Sequence, residues 1–222
     1  YSLHLLRDLF SRYPVIVATG GTGLYIKALL EGLDPIPPVA EELRQAVITD
    51  YQTYGIEWLK KELQQKDPLF VLKGEMQNPR RMMRALEVVK ETGKSILDYQ
   101  SASRSSRFFS SICIGLELPR DVLYQRINQR VLTMMDAGLE AEVSNLLPLR
   151  AMNALQTVGY RELFHYFDGA ISRDQAVHLI QQNTRRYAKR QLTWFKNQSS
   201  FHWMDAAAVQ SSILPFIQSS LG

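Results

Sequence analysis

The sequence predicts an α/β protein, a parallel-sheet core into which an all-helical block is inserted. Three observations carry this. Residues 13–32, "YPVIVATGGTGLYIKALLEG", read as a buried strand, a glycine turn and a helix. Residues 39–106 offer several helix signals and no convincing strand. Alternation of period two then resumes at "ICIGLELP", where Ile112, Ile114, Leu116 and Leu118 alternate with smaller or polar residues. The expected domains are therefore 1–37, the first part of the core, 38–106, the insertion, and 107–222, the second part of the core.

Leu3, Leu6 and Phe10 share the spacing of a short helix over 3–11. Residues 15–18 are unbroken in hydrophobicity, as in a parallel strand buried on both faces. Thr22 can cap the next helix, which runs to Leu30 and stops with Gly32 in the C′ position. The prolines of "DPIPP", 34–38, exclude helix and central strand and mark a boundary. Glu41 and Glu42 suit the first turn of a helix to about 51, and a second helix follows Gly55 with Trp58, Leu59 and Leu63 on one face. Asn78-Pro79 supplies an N-cap and a first-turn proline for a helix over 80–91, and residues 101–107 form a polar linker. After the strand at 112–118, Asp121 is expected to cap a helix ending at Gly138, followed by helices over 139–147 and 160–167. Ser172 with Gln175 forms a capping box for a long helix to about Lys196, and 201–204 is a last strand. Three strands fall below the usual four to six or so of a sheet. The chain opens at Tyr1 without a methionine, inside an apolar stretch, so further strands are expected upstream and the core is expected to be incomplete at its N-terminus.

With 222 residues, 45% hydrophobic and 22% charged, the composition is that of an ordinary globular protein. The lone Cys113 excludes an internal disulfide and a cysteine-based zinc site, and points to a reducing compartment. No apolar run reaches the roughly 20 residues that span a bilayer, so no membrane partner is expected and the expected location is cytoplasmic. A net charge of +4 and a pI near 9.2 tilt the chain towards polyanions. His4, His165, His178 and His202 show neither metal spacing nor a nucleophile partner, so metalloenzyme and triad hydrolase are unsupported.

The glycine turn, Gly20, Gly21 and Gly23 around Thr22, has the layout of a phosphate-binding loop but fits neither common fingerprint. A dinucleotide turn needs glycine where Ile26 stands, and a Walker A loop needs Lys and Ser or Thr where Leu24 and Tyr25 stand. "ETGKS", 91–95, is a decoy, because it follows a helix and has Val88 where the first Walker glycine belongs. In "NPRRMMRALEV", Arg80 and Arg81 occupy the first turn of a predicted helix, and Arg84 extends their face by one turn. Free N–H groups and guanidinium forks pointing one way would make an anion site, and a solvated basic face is the alternative. "QNTRRYAKRQLTWFKNQ", 181–198, carries Arg185, Arg186, Lys189, Arg190 and Lys196 interleaved with Tyr187, Trp194 and Phe195, with no acid between Asp174 and Asp205. The absence of local acids favours an RNA backbone with stacked bases over core aromatics beside solvated cations. "LQTVGYREL" combines a bend at Gly159 with Tyr160 and Arg161 and by itself reads as an amphipathic helix start, and Arg126 and Arg130, four apart on one helix, read by themselves as a solvated face.

Taken together and in this order, "GGTGLYIKALLEGL", "NPRRMMRALEV", "LQTVGYREL" and "AKRQLTWFK" closely resemble the tRNA dimethylallyltransferases, or tRNA isopentenyltransferases, over essentially all of the chain. The resemblance implies a core related to P-loop kinases with a helical insertion that closes over the anticodon stem-loop. It implies transfer of a dimethylallyl group from dimethylallyl diphosphate, with magnesium, to the exocyclic amino nitrogen of the adenosine 3′ of the anticodon. The base is flipped out to expose that nitrogen. By resemblance Thr22 and Arg44 contact tRNA, and Arg80, Arg81, Met82, Met83 and Arg84 lie along the anticodon loop. Gln156, Thr157, Val158, Gly159, Tyr160 and Arg161 supply further RNA contacts. So do Lys189, Arg190, Gln191, Leu192, Thr193, Trp194, Phe195 and Lys196. Arg130 matches the family's arginine near the diphosphate, and Gly20, Gly21 and Gly23 line the channel where adenosine meets donor. The family's Walker A-like loop and its general-base aspartate precede the glycine turn and do not occur in this sequence. The chain as given is therefore expected to hold no metal ligands and to be inactive by itself, and a monomer is expected. Two alternatives stay open: an adenylate isopentenyltransferase, whose substrate offers few phosphates to the basic stripe, and a non-catalytic RNA-binding module.

Overall fold

The computed structural model describes residues 1–100, 105–198 and 200–221. They form two compact units, Tyr1–Ile16 with Tyr25–Phe108, and Val17–Leu24 with Phe109–Gly222.

The first unit is helical. It begins with α1 (Ser2–Phe10) and most of α2 (Gly23–Leu30), followed by α3 (Glu41–Lys66), α4 (Pro68–Lys73) and α5 (Pro79–Thr92). Two expected helices meet in α3 at Gly55, whose φ of 74° and ψ of −165° break the helical path without ending it. Only a residue without Cβ takes that conformation cheaply. Asp67 starts α4 by accepting the Phe70 N–H at 2.9 Å, with Pro68 in the first turn. Its other oxygen accepts the Ser95 hydroxyl at 2.9 Å, tying α4 to the short 3-10 turn Ile96–Tyr99. The core lies between α3, α4 and α5 and contains Val47, Leu59, Leu63, Phe70, Met82, Ala85, Leu86 and Val89.

The second unit holds the sheet. Strands β1 (Cys113–Glu117) and β2 (Phe201–Asp205) pair in parallel, Cys113 opposite Phe201 and Glu117 opposite Asp205. A parallel pair needs a long crossover. Here it consists of α6 (Arg120–Asp136), α7 (Leu139–Asn145), α8 (Tyr160–Phe167) and α9 (Arg173–Lys196), and α10 (Val209–Leu221) follows β2. The crossover helices make their own core from Val131, Met135, Leu139, Val143, Leu163, Phe164, Ala176 and Ile180. The capping box of Ser172 and Gln175 opens α9 as its sequence predicts. The helix-rich α/β class and the parallel sheet are those expected.

Four local expectations are corrected. Residues 15–18 form no strand, because they have no ladder partner among the described residues, and Val17 is 81% exposed. The alternation at 112–118 marks a strand, yet Leu116 is half exposed and the buried position is Gly115, which lies under the Trp203 ring. Period two tells which residues share a face and not whether a layer covers that face. Asp121 is not the cap of α6, because Pro119 holds that position and Asp121 sits in the first turn, where a carboxylate still suits the helix dipole. The helix expected over 139–147 ends at Asn145, and Leu147–Leu149 is a separate 3-10 turn built on Pro148. Within the linker, residues 101–104 lie outside the described residues. Helices α4 and α10 are additional to the sequence reading, although Asp67-Pro68 is the same N-cap signal as Asn78-Pro79.

Leu86 is fully buried where α5 meets α3. Leu86→Ala should cost about 2–5 kcal/mol. Urea unfolding checks this as a lower midpoint with an unchanged m-value.

Candidate nucleic-acid interface

The start of α5 differs from a bare anion-binding helix end. Asn78 Oδ1 accepts the Arg80 and Arg81 N–H groups at 3.1 and 3.4 Å, the Met82 N–H bonds the Asn78 carbonyl at 3.0 Å, and Pro79 has no N–H. The first-turn donors are all engaged, so any attraction for anions here rests on guanidinium groups. Arg80 is exposed and has no carboxylate partner among the described residues. Arg81, the second arginine of the expected anion site, is instead engaged in an ion pair with Glu75. Met82 is fully buried in the core and Met83 packs against it, so both serve the helix rather than its surface.

One turn on, Arg84 reaches Glu87 at 3.1 Å. Arg44, on α3, reaches Glu41 at 3.1 Å and the same Glu87 oxygen at 3.9 Å. Glu87 is 6% exposed, and nothing in the sequence reading singled it out. The available signal was a carboxylate in the apolar run "ALEVV", three residues after an arginine.

In the second unit the glycine turn meets α9. Gln191 Nε2 donates to the Gly21 carbonyl at 2.8 Å. A Cβ added at Gly21 would collide with the Gln191 amide, and one at Gly23 with the Trp194 indole. Neither glycine has positive φ. Their smallness is required for close approach. Gly20 and Thr22 remain exposed.

Helix α9 thereby divides into two faces. Gln191, Leu192, Trp194 and Phe195 are half-buried, with Phe195 edge-on to Trp194 and to Phe201 at ring separations of 4.8 and 5.1 Å. Arg186, Lys189, Arg190, Thr193 and Lys196 are exposed, and Tyr187 is the aromatic that stays 40% open, beneath the Arg190 guanidinium. Lys196 and Arg185, without acids nearby in the sequence, find partners far along the chain: Lys196 meets Glu117 at 2.6 Å, and Arg185 donates to Asn128 Oδ1 at 2.5 Å. Lys189 and Arg190 have no carboxylate partner among the described residues, and neither has Arg130, exposed on α6.

The "TVGYR" bend is built on Gly159, at φ 102° and ψ −52°. Its N–H donates to the buried Glu162 at 2.8 Å, and the other Glu162 oxygen accepts from Asn183 on α9 at 2.7 Å. The Tyr160 hydroxyl donates to Glu142, which raises the phenol above its ordinary range, so Tyr160 stays a proton donor. Gln156 Nε2 bonds the Arg150 carbonyl at 2.6 Å, and Arg150 is itself clamped by both Asp168 oxygens at 2.7 and 2.6 Å. Thr157 and Arg161 are exposed, and Val158 packs against the core.

The family model described as IPP transferase matches residues 2–198. The chain belongs to the IPP transferase family. Among its relatives, the tRNA dimethylallyltransferase of Cytophaga hutchinsonii is 42% identical over 219 residues, covering 99% of this chain and 72% of that protein. The solved full-length tRNA isopentenylpyrophosphate transferase of Bacillus halodurans is 34% identical, with a TM-score of 0.57 over 91% of this chain and 65% of that one. A eukaryotic dimethylallyltransferase acting on tRNA shares the fold, with a TM-score of 0.70 at 19% identity over 97% of this chain and 58% of that one.

For this IPP transferase family chain the glycine turn yields a coupling test. Gly23→Ala should cost about 1–3 kcal/mol through overpacking on Trp194. The same change in a Trp194→Ala background should cost no more than about 0.5 kcal/mol, because the obstructing ring is gone. Thermal melts of the four proteins check the cycle.

Proposed function

We propose that this protein transfers a dimethylallyl group from dimethylallyl diphosphate to the exocyclic amino nitrogen of the adenosine 3′ of a tRNA anticodon. What carries the reading is the family match over residues 2–198, joined to relatives that bear the name tRNA dimethylallyltransferase. The amino nitrogen forms a bond to the allylic carbon, the carbon–oxygen bond to diphosphate breaks, and the nitrogen loses a proton to a base. The leaving diphosphate accumulates negative charge that fixed cations must meet. Arg130 is exposed and unengaged by carboxylates among the described residues, which suits that task.

The same physics favours a polynucleotide over a free adenine nucleotide. Lys189 and Arg190 sit side by side on the open face of α9, with Tyr187 beside them, and a mononucleotide has too few phosphates to engage them and Arg161 together. Direct contacts fall to the exposed groups Thr22, Arg80, Arg161, Lys189, Arg190 and Thr193, and to the partly exposed Arg44 and Arg84. Gln191, Trp194 and Phe195 act by holding the glycine turn and the strand end. Magnesium belongs to the proposal as a companion of the donor's diphosphate. Among the described residues no three His, Cys, Asp or Glu side chains are grouped to hold a metal ion, so the residues in hand form no cation cage and no step here uses one.

Full-length protein incubated with labelled dimethylallyl diphosphate, magnesium, unmodified tRNA and free AMP in competition tests the reading; label appearing on AMP instead of tRNA would overturn it. In that assay Arg130→Ala should slow donor use at least tenfold and leave tRNA affinity within about twofold. A collapse of tRNA affinity with unchanged donor kinetics would move Arg130 to the RNA side. Replacing Lys189 and Arg190 by Ala should lower the slope of log affinity against log salt by about two. Titrations at several salt concentrations read that slope directly.

A further inference from the structure

The helical unit contains a device that the family reading does not require. Arg80, Arg84, Glu87 and Glu91 recur along one face of α5, at spacings of four, three and four. That face abuts the start of α3. Glu91 accepts the Ala40 N–H at 3.3 Å, and one turn away Glu87 lies against Arg44. The Arg84 Nη1 and Arg44 Nε atoms approach the same oxygen, Glu87 Oε2, at 3.1 and 3.9 Å. Glu87 is buried, whereas the two arginine side chains stay 34% and 42% exposed, so the acid is covered and the cations open outward.

Two guanidinium groups from different helices repel each other at this range. Glu41 also holds Arg44, at 3.1 Å, but the one carboxylate that both arginines approach is the desolvated Glu87, whose attraction is stronger inside than in water. A buried carboxylate has few positions open to it, so it transmits its fixed place to both partners.

We propose that Glu87 is a positioning residue that sets Arg44 and Arg84 as a paired clamp for one RNA phosphate, with the exposed Arg80 one turn beyond. The inference rests on the RNA-modifying reading above. An arginine free in solution loses several rotamers on binding, and one already held loses few, so the clamp binds with a smaller entropic cost. A Glu87 that merely balances charge predicts the opposite behaviour. Removing it would then add net positive charge, tighten RNA binding and steepen the salt slope.

The test uses full-length protein and a synthetic anticodon stem-loop RNA. Glu87→Gln keeps the shape and removes the charge. It should weaken binding about tenfold, the loss of one well-oriented charge-assisted contact. It should also lower the slope of log affinity against log salt by about 0.7, the single-strand value for one phosphate. In an Arg44→Ala/Arg84→Ala background the same substitution should have no further effect on binding. A loss of equal size in that background would mean that Glu87 acts through the fold and not through the arginines. Unchanged or tighter binding would also overturn the clamp. Should Glu87→Gln fail to fold, Glu87→Asp, which keeps the charge but is one methylene shorter, should bind less tightly than wild type, and wild-type affinity there would overturn the clamp. Wild-type protein that ignores the stem-loop altogether would instead overturn the RNA reading.

Discussion

A carboxylate removed from water has to be ligated, and much of the local order in this protein depends on that constraint. Asp67, Glu87 and Glu162 are 2%, 6% and 4% exposed. Leaving such a group unpaired costs several kcal/mol or shifts it to the neutral acid. Each therefore recruits donors from separate pieces of chain. Asp67 takes a backbone N–H of α4 and the Ser95 hydroxyl, which closes the helical unit around its core. Glu162 takes the N–H of Gly159 and the amide of Asn183, which fixes the bend against α9. Glu87 takes two arginines. Two of the three buried acids thus organise stretches proposed to face RNA, where long side chains would otherwise sample many rotamers.

Helix α9 shows how one motif can hold two unlike tasks. Along 189–196 the helical period sends Gln191, Trp194 and Phe195 inward and Lys189, Arg190 and Thr193 outward. The inward set closes on a turn whose glycines leave room for an amide and an indole. An added methyl is tolerated least at Gly23, where the obstacle is the rigid Trp194 ring, and more readily at Gly21, where the Gln191 side chain can turn aside. The outward set needs no such precision, since attraction between a mobile cation and a polyanion survives changes of rotamer. Substitutions on the two faces should therefore differ in kind: packing and stability on one, salt-dependent affinity on the other.

Much of this was legible in the sequence where a local rule decides the outcome. The Asn78-Pro79 start of α5, the Ser172–Gln175 box and the bend at Gly159 each depend on neighbours within a few residues, and each formed as expected. The family match confirms the resemblance carried by the four motifs. Features set by distant residues were not legible. Residues 15–18 have strand composition, but a strand is a pairing and no described segment pairs with them. The partners of Lys196 and Arg185 are the Glu117 carboxylate and the Asn128 amide, far away in the chain, and neither pairing leaves a local signal. Nothing local marks Glu87 and Glu162 as buried, because burial is a tertiary property. That the glycine turn packs on side chains of α9 was likewise hidden, because those side chains lie some 170 residues away in the chain.

The pattern of pairing also separates affinity from discrimination. Arg80, Arg130, Arg161, Lys189 and Arg190 have no carboxylate partner among the described residues. Such cations attract any nucleic acid by releasing its counterions, with little regard for shape. Arg44 and Arg84 behave differently, since part of their field is already spent on Glu87 and Glu41. Their net pull at long range is small, and their fixed geometry favours a phosphate at one place and orientation. A loop that presents its backbone there gains a directed contact, and a strand that does not must disturb an ion pair to gain anything. Discrimination between RNAs in this unit is therefore expected from the arginines that look neutralised, and bulk affinity from those that do not.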